Sequence, residues 1–106
     1  MINAEFFITK DGEIIGFHIS GHSGMAESGH DVICAFVSSA AYMAANTITD
    51  IIHAHATAED DDGDMFVMVE KKDAVSCRDI LAGLKLHLIN TEEQYPNYLQ
   101  VNYTEV

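Results

Sequence analysis

The sequence predicts an α+β domain, two helices packed on a mixed, largely antiparallel sheet in the order ββα-ββ-αβ. Three observations lead there. Two pairs of short segments rich in β-branched and aromatic residues are each joined by a turn containing Asp and Gly. Two longer segments carry apolar residues at helical spacing. A last alternating segment lies beyond the only proline, Pro96.

Each element has its own warrant. Residues 2–9 and 14–20 form the first hairpin, turning at Lys10-Asp11-Gly12-Glu13. In its second arm Ile15, Phe17 and Ile19 alternate against Gly16 and His18, so one face enters the core. Residues 21–30 form an irregular stretch containing Gly21, Gly24 and Gly29. Such a loop can move and close over a ligand. From residue 31 to about 54 the spacing predicts a helix, with Ile33, Val37, Ala40, Ala44, Ile48 and Ile51 on one stripe. Phe36, Met43 and Ile52 widen that apolar surface beyond what one sheet covers, which points to a homodimer contact. Residues 57–70 read as a hairpin turning at Asp61-Asp62-Gly63. A second helix over residues 73–90 aligns Cys77, Leu81, Leu84 and Leu88, and residues 98–105 form the last strand. The 106 residues make one domain, 1–106, without repeat, linker or low-complexity segment.

Composition narrows the function classes. Five basic residues stand against seventeen acidic ones, a formal net charge of −12. Nucleic-acid binding needs clustered Lys and Arg on phosphates, so it is not expected. An acidic surface can steer a basic protein or peptide to a cleft, or simply keep the chain in solution. No uninterrupted apolar run reaches the roughly 18 residues of a membrane span. The start, MINAEFFITKDGE, lacks a secretory pattern. With two unpatterned cysteines, the reducing cytoplasm is the expected compartment. No cofactor fingerprint is present.

The chemistry concentrates between Gly21 and Ser38, in GHSGMAESGHDVICAFVS. His22 sits in a glycine-bounded element, and Cys34 follows just inside the expected helix start. The thiolate is the nucleophile, and a helix N-terminus or an imidazolium lowers the pKa that forms it. Cys34 is therefore the candidate nucleophile and His22 its base. Asp31 suits two roles, a helix cap and a carboxylate orienting His22, of which the cap is preferred. Ser38, one turn past Cys34, can donate to the thiolate. His18 and His30 are close enough in sequence to the loop to contact substrate.

Other features take the plainer reading. Cys77 lies on a leucine stripe and reads as core. His53 and His55 suit a helix C-terminus better than zinc, because no third ligand is evident. In the acidic run from Glu59 to Asp64, aligning Gly63 with the invariant EF-hand glycine puts Ala58 and Val69 at the first and last ligand positions. The run is an acidic turn, and no metal site is expected.

The residues Gly21-His22-Ser23-Gly24, Ser28-Gly29 and Asp31-Val32-Ile33-Cys34-Ala35 resemble the motifs of the ribosomal-processing cysteine proteases, the Prp family. The departures are mild: Ser23 where a small residue is usual, and Met25 where an aromatic is common. The resemblance runs along essentially the whole chain. It implies a homodimeric α+β endopeptidase with His22 and Cys34 as the catalytic pair. It also implies a glycine-rich loop (Gly21, Ser23, Gly24, Gly29, His30) that orders around substrate. The implied substrate is the N-terminal extension of a precursor large-ribosomal-subunit protein (L-twenty-seven). Two competing readings are a non-catalytic ribosome-assembly adaptor for the same peptide and a thiol-dependent hydrolase of a small molecule.

Overall fold

The computed structural model describes residues 1–21, 30–61 and 63–106, the side chains of His30 and Asp31 excepted. Among the described residues, five strands and two long helices follow in the expected order. They are β1 (Ile2–Ile8), β2 (Ile14–Ser20), α1 (His30–Asn46), β3 (Ala56–Asp61), β4 (Asp64–Val69), α2 (Ala74–Gln94) and β5 (Leu99–Glu105). A π-helical turn, Thr47–Ile51, extends α1, and a short 3₁₀ turn, Lys71–Asp73, leads into α2.

The strands form one sheet in the order β3-β4-β2-β1-β5. All neighbours are antiparallel except β1 and β5, which run parallel with Ala4 opposite Val101. The chain can return in parallel because α2 supplies the crossover between β4 and β5. Both short hairpins turn through glycines in the left-handed region, Gly12 at φ 83° and Gly63 at φ 92°. Gly16 serves a different need: a Cβ there would stand 2.3 Å from the Val67 carbonyl on the paired strand.

One sheet face meets the helices. Ile2, Ala4, Phe6, Phe17, Ile19 and Val67 are at most 1% exposed and pack under Val37, Ala44, Ile48, Cys77, Leu81 and Leu88. The stripe expected on α2 is therefore the one it buries. Burying each such side chain contributes roughly 1.5–3 kcal/mol relative to leaving it in water. On the other face His18 lies between Glu5 and Phe66, with Phe7 ringed against Phe66 at 5.7 Å. Strand alternation thus turns His18 away from the helices.

Both boundaries of α1 also differ from the sequence reading. The α-helical winding of α1 stops at Asn46, short of residue 54. The Ile52 N–H then bonds the Thr47 carbonyl, a π-type bond spanning five residues. Each π bond takes in one extra residue, so Ile52 returns to the half-buried side while Ile51 is 72% exposed. At its other end α1 begins at His30, which puts Asp31 inside the first turn instead of before it. An acidic residue there still suits the helix dipole. Finally, Val32–Ile51 is long and apolar enough to cross a membrane by composition. That stretch is the core helix, with Val37, Ala41, Ala44 and Ile48 buried against the sheet and α2.

Candidate active site

The sheet and α1 converge on Cys34. Two backbone features at the end of β2 require the glycine at position 21. Its φ is 89°, and a Cβ would stand 2.3 Å from the Met1 carbonyl oxygen. Gly21 therefore fixes how the chain leaves the sheet toward His22. His22, Ser23, Gly24 and Gly29 themselves lie outside the described residues, as do the side chains of His30 and Asp31.

Cys34 stands one turn in from the start of α1, half-buried and packed against the edge of the core. It is not in a disulfide. The opening N–H groups of an α-helix have no i→i−4 partner, and donors of that kind suit an oxyanion. A thiol at this end of a helix is placed where the positive end of the dipole favours the thiolate.

Ser38 follows one turn later, also half-buried, on the side of α1 that faces the β3–β4 hairpin. With Ile19, Tyr42, Asp60 and Gly63 it lines a small recess. Tyr42, one turn further, donates its hydroxyl to the Asp60 carboxylate and ties α1 to the hairpin. That hydrogen bond, more than burial or charge, raises the phenol above its ordinary pKa of 10.0. Beyond the bridge the cleft opens into a cavity of about 140 Å³ between α1 and β3–β4. No local pattern announces the Tyr42–Asp60 pair, since the two residues lie 18 apart in sequence and on different elements.

The other cysteine is excluded from this chemistry. Cys77 is fully buried on α2, and burial, with the Asp73 carboxylate as a lesser cause, pushes its thiol pKa up. His53 follows the π turn with a left-handed φ of 58°. His55 finds the carboxylates that the sequence does not reveal. His55, Glu70 and Asp73 bring ligand atoms within 4.8 Å of one another, and among the described residues this group has the donors to hold a metal ion. Hydrogen bonding accounts for it without one. Asp73 accepts the His55 backbone N–H at 2.7 Å and lies 2.9 Å from its Nδ1, while Glu70 lies 3.4 Å from Lys72. These contacts join the start of β3 to the start of α2.

Three comparisons complete the description. A family model described as "Cysteine protease Prp" matches residues 1–100. The ribosomal processing cysteine protease Prp of Staphylococcus aureus is 24% identical over 105 residues, which is 97% of this chain and 99% of that protein. A crystal structure of the S. aureus protease with a substrate peptide superposes with a TM-score of 0.89 at 23% identity, covering 98% of this chain and 100% of the other. A second, with a covalently linked product peptide, gives a TM-score of 0.85 at 24% identity over the same shares.

Proposed function

Because this chain belongs to the Prp family of cysteine proteases, we propose that it removes the N-terminal extension of a precursor large-ribosomal-subunit protein (L-twenty-seven), using Cys34 and His22. The observation that carries the reading is Cys34 itself, a half-buried thiol near the N-terminus of α1. The family match spans both Cys34 and His22. Membership of a protease family sets aside the adaptor reading.

In this mechanism His22 takes the thiol proton as Cys34 Sγ attacks the scissile carbonyl carbon. First-turn N–H groups stabilise the oxyanion. The C–N bond breaks, His22 gives its proton to the leaving amine, and a thioester remains on Cys34. Water then adds to the thioester, releasing the new carboxyl terminus and restoring the thiol. Asp31 and Ser38 support the pair, and Gly21, Ser23, Gly24, Gly29 and His30 meet the peptide.

The assembly is a cytoplasmic homodimer. The face offered for that contact has Phe36 and Met43 each 53% exposed on α1, beside Ile80, Leu84 and His87 of α2. With its net charge of −12, the chain engages the precursor protein and not nucleic acid directly.

The test is cleavage of the precursor by wild type and Cys34→Ala, read by intact mass. One cut by wild type that is absent in the variant is expected. Cleavage by Cys34→Ala would overturn the reading.

A further inference from the structure

On one side of α1, Cys34, Ser38 and Tyr42 follow at one-turn intervals, and Ala45 continues the line. From Ser38 onward this line faces the β3–β4 hairpin, and the cavity beyond Tyr42 has a mixed lining. Ala45, Ala58, Met65 and Val67 form an apolar floor, with Met65 and Val67 almost fully buried, and Asp60 stands at the rim. Glu59, Asp61 and Asp64 flank Asp60 on the hairpin. No Lys or Arg occurs anywhere from Asp11 to Glu70, so neither wall supplies a counter-charge of its own. The Tyr42 hydroxyl occupies one acceptor site of the Asp60 carboxylate. A carboxylate offers about four, so it can accept further donors. Apolar floor and acidic rim together fit a side chain with a hydrocarbon stem and a cationic tip.

Resting on the protease reading above, we propose that this cavity is a substrate subsite for a lysine or arginine of the peptide, recognised by Asp60. Its distance from the scissile bond follows from helix geometry. Tyr42 is eight residues from Cys34, about 12 Å along the axis. An extended peptide advances about 3.3 Å per residue. The basic residue therefore stands three or four positions from the bond that is cut.

The experiment uses peptides spanning the cleavage junction, with lysine, alanine or glutamate at the third and fourth positions on either side. Wild type, Asp60→Asn and Asp60→Lys are compared by kcat/KM. At one of these positions wild type is expected to prefer lysine over glutamate by about tenfold. Asp60→Asn flattens that preference and Asp60→Lys inverts it. Cleavage by wild type with equal kcat/KM for lysine and glutamate overturns the subsite alone. So does a lysine preference that survives Asp60→Lys. Failure of wild type to cut any peptide, or the precursor, overturns the protease reading and the subsite with it.

Discussion

The two cysteines ride on two helices that rest on the same sheet face, yet they differ in everything that controls thiol chemistry. Cys34 is half-buried near the N-terminus of α1, one turn before Ser38, which lines a recess. Cys77 points into the core from α2, fully covered, its pKa raised by that burial. The sequence neighbourhoods already hint at the difference, a glycine-and-histidine element before one and a leucine stripe around the other. Reactivity in this fold is therefore a matter of where along a helix, and toward which side, the thiol is presented.

The comparison can be broken or sharpened by substitution, taking the largest effect first. Cys34→Ala is expected to lower turnover by about a thousandfold or more, as loss of a nucleophile does. Its melting temperature should stay close to wild type, since the side chain is only half-buried. Gly21→Ala comes next. The left-handed φ and the Met1 carbonyl 2.3 Å from a new Cβ should cost roughly 1–3 kcal/mol in urea unfolding, with a matching loss of turnover. Cys77→Ser should reverse the Cys34→Ala pattern. A hydroxyl among Leu81 and Leu84 should lower stability by roughly 1–3 kcal/mol while kcat stays near wild type.

The smallest effect belongs to Asp73. Hydrogen bonds from His55, backbone first and ring second, hold its carboxyl below the ordinary 3.8. A carboxyl whose folded pKa is depressed stabilises the fold above its unfolded pKa, and that contribution is lost as pH falls through the folded value. Wild type should therefore lose melting temperature more steeply than Asp73→Asn below pH 3.8, in a scan of thermal unfolding against pH. Parallel curves would show that the His55–Asp73 contact contributes nothing.

How much of this could be read in advance depends on the range of the interaction. The hairpin glycines at 12 and 63, and the stripe Cys77-Leu81-Leu84-Leu88, follow from local geometry and appear where the pattern puts them. Ile51 does not, because one π bond shifts the phase of a helix and leaves no mark in apolar spacing. His18 alternates correctly within β2, but nearness in sequence to the active loop could not say which sheet face held it. The parallel pairing of β1 with β5, the Tyr42–Asp60 bridge and the His55–Asp73 contact join distant segments. Such contacts exist only once the layers have packed. The proposal for His22 and Cys34 has the opposite basis, since both lie within one continuous stretch of chain.

The central claim is that Cys34 and not Cys77 carries the nucleophilic sulfur. The most direct measurement is to incubate the native enzyme with a substrate-derived peptide ending in a thiol-reactive chloromethyl ketone, then map the adduct by mass spectrometry. The account predicts one adduct per chain on Cys34, none on Cys77 until the protein is unfolded, and loss of turnover in proportion to labelling. Labelling of Cys77 that tracks the loss of activity, or full activity with Cys34 modified, would contradict it.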